Sequence, residues 1–118
     1  MDVPSIHHVQ IAIPEGGEDA ARIFYGDLLG FPESPKPENL QGRGGVWFRT
    51  ENLDLHLGID HNFSPATKAH VAFWCRNLDD FRPRLAESGC DIVNDEPLAG
   101  FDRFYTSDPF GNRIELLE

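Results

Sequence analysis

IHHVQIAI, residues 6–13, sets two histidines at the head of an apolar run, and the rest of the chain is best read outward from them. In a strand successive side chains point to opposite faces, so His8 shares a face with Gln10 and Ala12, while His7 goes with Val9, Ile11 and Ile13. A hydrogen-bonded core histidine would explain either one alone. The reading changes at KAHVAFWC, residues 68–75, where a second apolar strand opens on a His-Val pair. Setting His8-Val9 on His70-Val71 gives an offset of 62 residues, and the segments after the two strands repeat as well.

After the first strand, EDAARIFYGDLLG places Ala20, Phe24 and Leu28 at i, i+4 and i+8 with Ile23 beside them and stops at Gly30, the pattern of an amphipathic helix from about Glu18. The proline-rich FPESPKPENLQGRGG, residues 31–45, predicts an irregular loop with a brief edge strand. VWFRTENLDLHLGI then offers two apolar runs about a Thr50-Glu51-Asn52 turn, a hairpin. In the second half NLDDFRPRLAESG supplies Asn77 or Asp79 as N-cap, Phe81 and Leu85 as an apolar face and Gly89 as a stop, with Pro83 close enough to the first turn to be tolerated. CDIV comes next, then RFYTS and RIELLE joined into a hairpin through DPFGN. The expectation is an α+β fold, one domain over 1–118 built of two βαβββ modules, about 4–60 and about 68–118. One helix covers only one side of a four-stranded sheet, so the other side needs a partner from the second half or from another chain.

Ten Lys and Arg against twenty Asp and Glu give a formal charge of −10, which excludes a phosphate-backbone binder and favours a metal or a cationic ligand. Cys75 and Cys90 form no disulfide framework. No basic-then-apolar leader comes after Met1 and no apolar run nears about eighteen residues, so a cytoplasmic protein without membrane contact is expected.

The polar residues that intrude on strands repeat too. His8 lies on the first strand of module one and His56 on the last; His70 lies on the first strand of module two and Glu115 on the last, with separations of 48 and 45 residues. Leu55 and Leu57 flank His56, Ile114 and Leu116 flank Glu115, and alternation turns the polar member of each trio away from its aliphatic neighbours. A lone carboxylate on the inner face of a strand costs several kcal/mol unless it is paired or metal-bound. Three imidazoles and one carboxylate suit a single divalent ion among Zn, Ni, Fe(II), Co and Mn without choosing one; a hydrogen-bonded His/Glu cluster or an organic-ligand pocket is the other reading. His7, on the opposite face, and His61, in a loop, stand outside the pattern.

IHHVQIAI, FYGDLLGF, LHLGI, KAHVAF and DPFGNRIELLE together resemble the vicinal oxygen chelate superfamily, the glyoxalase, bleomycin-resistance and extradiol-dioxygenase group, over essentially the whole chain. The resemblance implies two modules folded as curved, barrel-like mixed sheets around a metal cavity, with His8, His56, His70 and Glu115 as ligands. It also implies a homodimer, in which His8 and His56 of one chain can meet His70 and Glu115 of the other. Metal-dependent glyoxalases have a carboxylate, and the epimerases often a glutamine, where this chain has His56; fosfomycin-resistance transferases and extradiol dioxygenases use a trio matching His8, His70 and Glu115. The implied function is a metal-dependent enzyme acting on a small, vicinally oxygenated substrate by lyase, isomerase or dioxygenase-like chemistry. Glu115 is the first candidate for a base and His56 the second. Gln10, Trp74 and Arg113 share faces with these ligands, and Trp47, Phe48 and Tyr105 are candidates for the cavity mouth. The competing function is that of the acidic, metal-free bleomycin-resistance proteins, which sequester a cationic small molecule.

Overall fold

The computed structural model describes residues 2–118, which divide into two compact units, 2–63 and 64–118. In the first, β1 (Val9–Ile13) leads to α1 (Glu18–Ala21), a π-helical stretch at Arg22–Leu28, the two-residue β2 (Glu33–Ser34), a 3-10 helix at Glu38–Arg43, and the hairpin of β3 (Val46–Arg49) and β4 (Asp54–Ile59). The sheet order is β1-β4-β3-β2, with β1 parallel to β4 and the other pairs antiparallel. In the second unit β5 (Val71–Trp74), α2 (Leu78–Glu87), β6 (Arg103–Ser107) and β7 (Arg113–Leu117) give the order β5-β7-β6, with β5 parallel to β7. Where the first unit has β2, the second has a single bridge from Val93 to Tyr105. The two mixed sheets, each with its helix, are the α+β fold that the repeat predicts.

Alternation sorts each sheet into two faces. Ile11, Ile13, Val46, Phe48, Leu55 and Leu57 are buried on one face of the first sheet, and Tyr25 meets Phe48 there at 6.3 Å between ring centroids. Phe73, Phe104, Ile114 and Leu116 do the same in the second sheet, with Leu78 and Leu85 of α2 buried and the Arg82 guanidinium 4.8 Å over the Phe104 ring. The opposite faces carry Gln10, Trp47, His56 and Gly58 in one unit and Ala72, Tyr105 and Glu115 in the other.

Some expectations shift. The buried positions of the first helix are Ala21, Phe24 and Tyr25, not Ala20, Phe24 and Leu28, and Ile23 is exposed. The chain gains width by closing its end on a bond from Leu29 N–H to the Phe24 carbonyl, five residues back, and the wider turn lets the adjacent Phe24 and Tyr25 both be buried. Phe48, a candidate for the cavity mouth, is on the core face instead, 1% exposed, because β3 pairing sets it across from Leu55.

Asn77 is the N-cap residue of α2 but makes no capping bond to the helix backbone; its amide donates to Asp80, and Glu118 takes the Leu78 N–H at 2.6 Å. The DPFGN turn is held by the buried Asp108, whose carboxylate accepts the N–H groups of Phe110 and Asn112 and the Asn112 side-chain amide. Asn112 in turn accepts the Ala66 N–H, and Arg113 donates its N–H to the Ala66 carbonyl, so the turn also fixes the loop that leads to His70. Both cysteines are free thiols, and burial pushes Cys75 up to about 11, where it is inert near neutral pH. Among the described residues no helix is long and apolar enough to cross a membrane.

Candidate metal-binding site

Both first-strand histidines stand one residue before their strands rather than within them. β1 pairs in parallel with β4 from Val9 opposite Leu55, and β4 begins at Asp54. The residue opposite His8 therefore belongs to the strand's first position, where the ladder ends. β5 likewise opens at Val71 opposite Ile114, and the Arg113 N–H that could extend the ladder is already bonded to Ala66. Each histidine thus sits at the open end of a parallel pair.

In the first unit His56 is 8% exposed and its ring lies between two others. Trp47 stacks on it at 3.8 Å with planes 1° apart, and His8 stacks at 4.4 Å with planes 20° apart. His7, which alternation assigns to the far face, is instead against His8, Nδ1 to Nδ1 at 2.9 Å, since neither residue is held in the pleat. Burial, and secondarily the nearby His8, lower the His56 pKa below the usual imidazole value, so the ring is neutral and able to donate a lone pair at neutral pH.

In the second unit the His70 Nδ1 lies 3.0 Å from the Lys68 carbonyl, which only accepts, so Nδ1 carries the proton. Its Nε2 then faces the Glu115 Oε1 at 3.0 Å. Two lone pairs face each other across that gap unless a proton or a metal ion lies between them. Ligands at about 2.1 Å from one ion and roughly 90–110° apart are themselves about 3.0–3.4 Å apart, so the pair fits a divalent cation. The carbonyl that orients the imidazole from behind is the support such ligands ordinarily have. Among the described residues no group of three or more His, Cys, Asp or Glu is placed to hold an ion, so each unit by itself offers two donors.

Glu115 is 5% exposed and shares its face with a tyrosine and two arginines. Tyr105 is its cross-strand partner and meets His70 edge-on at 5.3 Å. Arg113 lies 3.8 Å over the Tyr105 ring, as its shared face with Glu115 predicts. Arg103 is absent from the sequence-based candidates: its Nη1 donates to the Tyr105 hydroxyl at 2.9 Å and is 3.6 Å from the Glu115 Oε2. Pairing RFYTS antiparallel to RIELL would have found it, because 103, 105 and 115 then share a face. Trp74 does not join this cluster; the residue is 71% exposed and its ring packs on Phe101 at 5.3 Å. His61, in its turn, pairs with Glu15 at 3.3 Å.

The lowered His56 pKa makes stability depend on pH. The unfolded chain takes up a proton near 6.5 while the folded one resists it, so this contribution is complete above that value and is lost as pH falls from there through the folded value. Urea unfolding at pH 7.5 and pH 5 is expected to show a larger acid loss for the native protein than for His56→Gln. Identical losses would refute the assignment.

Among known proteins, the family model described as Glyoxalase/Bleomycin resistance protein/Dioxygenase superfamily matches residues 5–116. A crystal structure of a glyoxalase family protein from Bacillus anthracis is 46% identical, with a TM-score of 0.92 over 100% of this chain and 97% of that one. A lactoylglutathione lyase from Agrobacterium tumefaciens is 21% identical with a TM-score of 0.72, covering 99% and 96%. A fosfomycin resistance protein from Listeria monocytogenes, solved with Mn(II) and sulfate, is 14% identical with a TM-score of 0.77, covering 98% and 90%. The last two are similar in fold alone. No curated protein matches the chain.

Proposed function

Because the chain belongs to the Glyoxalase/Bleomycin resistance protein/Dioxygenase superfamily, we propose that it is a metal-dependent enzyme acting on a small substrate with two adjacent oxygens. The observation that carries this reading is the His70–Glu115 pair, with Nδ1 turned to the Lys68 carbonyl at 3.0 Å and Nε2 facing the Glu115 carboxylate at 3.0 Å. His8, His56, His70 and Glu115 supply the donors. A bound divalent ion would act as a Lewis acid on adjacent substrate oxygens and stabilise negative charge developing there.

The chain's own residues do the rest. Glu115 is the carboxylate positioned to take and return a substrate proton, and the Arg103 guanidinium 3.6 Å away offsets its charge when it is ionised. Tyr105, accepting a bond from Arg103, keeps its own hydroxyl proton to donate to a substrate oxygen. Arg113, fixed over the Tyr105 ring, presents a second positive group at the same face. Trp47 packs against His56 and limits its rotation. Gln10, the cross-strand neighbour of His56, offers a neutral amide. The chain is expected to act as a homodimer.

The test is metal analysis of protein purified without a nickel column, stripped with chelator and titrated with Zn, Fe(II), Ni, Co and Mn in turn. Saturable binding with a rise in melting temperature is expected, and then turnover in assays against dicarbonyl–thiol adducts, epoxides and catechols. Failure of all five metals to bind would sink the proposal, and sedimentation as a monomer would remove the dimer.

A further inference from the structure

The first sheet carries, beside His56, a cavity of about 260 Å³ whose charge is opposite to that of the protein as a whole. Its floor is Gly58, two residues beyond His56 on β4 and therefore on the same face, about 7 Å along the strand. The bare glycine lets the Gln10 carboxamide come down over it, to 2.8 Å from where a Cβ would stand. Trp47, whose ring stacks on His56, also lines the cavity, so the histidine stack and the cavity adjoin through one indole.

The far wall is the stretch that the sequence offered only as a proline-rich loop. Its 3-10 helix brings Arg43 to the cavity, and Lys36 just before it donates its ammonium to the Gly44 carbonyl and is thereby held at the wall. The Arg43 side chain has no hydrogen bond or ion pair among the described residues. No carboxylate lines this space; Glu15 and Glu18 line an adjoining cavity that shares Arg43, Gly44 and Ile59 with it, and Glu18 there accepts the Gly45 N–H at 3.4 Å. In a chain of net charge −10, two cations facing a cavity with no carboxylate at its surface form a local anion site.

We propose that this cavity receives a carboxylate of the substrate, carried about 7 Å from the oxygens bound beside His56. The proposal rests on the metal-dependent reading above and narrows it to an anionic substrate, with the distal carboxylate on the Arg43 fork, the Lys36 charge beside it and the connecting carbons across the Trp47 ring. It also opposes sequestration of a cationic molecule on this face.

Three probes share a keto-carboxylate head: 2-oxoglutarate has a distal carboxylate, 2-oxoglutaramate a neutral amide in its place, and 2-oxobutyrate neither. Each is titrated against Trp47 emission in a Trp74→Phe background, with zinc-loaded and metal-free protein. 2-Oxoglutarate is expected to bind about tenfold or more tighter than 2-oxoglutaramate. Arg43→Gln should nearly abolish that preference and Lys36→Gln reduce it, while 2-oxobutyrate affinity stays the same in both variants. Equal affinity for the first two probes, no response to 2-oxoglutarate, or a preference undiminished in Arg43→Gln overturns the proposal. Metal stoichiometry is measured separately. An Arg43-dependent preference in protein that binds none of the five metals keeps this subsite and discards the metal, whereas metal binding without the preference does the reverse.

Discussion

Glu115→Gln is expected to weaken divalent-metal binding by about 100-fold or more while leaving the second unit folded. Glutamine has the same shape, and its amide N–H can donate to the His70 Nε2 that now faces a carboxylate oxygen at 3.0 Å. What it removes is the only anionic donor among the four ligand candidates, and with it the charge that faces Arg103. The variant's circular dichroism should match that of the native protein. Its melting temperature should no longer respond to chelator or added metal, as that of the native protein should. Calorimetric titration reads the affinity directly, and a variant that binds metal as tightly as the native chain would remove Glu115 from the ligand set.

Gly45→Ala is expected to destabilise the fold by about 3 kcal/mol or more, lowering the melting temperature by more than about 10 °C. Gly45 has φ +87°, a region where a Cβ is costly, and here the Cβ would also lie 2.3 Å from the Leu57 carbonyl oxygen. That oxygen belongs to the β4 backbone and has no rotamer into which to retreat. Relief would require parting β3 from β4 next to the Val46–Leu57 pair, one residue from the Trp47–His56 stack. Gly30→Ala separates the two causes, since Gly30 has φ +89° but nothing within 4 Å of a built Cβ, and about 1 kcal/mol is expected from it. Thermal melts that show the two variants equally affected would place the whole cost in the dihedral angle and none in the contact.

The repeat is the most legible part of the sequence because it is written twice. The two helices, the hairpins across Thr50–Asn52 and DPFGN, and the His-Val openings at an offset of 62 are all in the fold. Alternation also places Gln10, Trp47 and His56 on one face and Tyr105, Arg113 and Glu115 on another. The illegible remainder depends on pairing rather than on pattern. Nothing in IHHVQIAI says that β4 begins at Asp54, so the apolar pattern extends the strand three residues too far and puts His7 on the wrong side. Nothing local to RFYTS says that Arg103 meets Glu115, since that contact is made across the ladder with β7. Trp74 shares parity with His70, but parity gives a side of the sheet and not a neighbour, and its neighbour is Phe101. Arg43 and Lys36 are hidden because a proline-rich stretch carries no period from which to aim a side chain.

The parallel edge strands, β1 on β4 and β5 on β7, fix how chain entropy is distributed over the ligand candidates. Val9 closes on Leu55 across 46 residues and Val71 on Ile114 across 43, whereas the hairpins close across about 5. The longer closures cost about 2 kcal/mol more each in lost chain freedom. Ile11, Ile13 and Phe73, buried on the strands just after the two histidines, meet that cost through their own desolvation. His8 and His70 are therefore carried to the mouths of their strands by aliphatic and aromatic neighbours on the opposite face, before any ligand contributes to holding them.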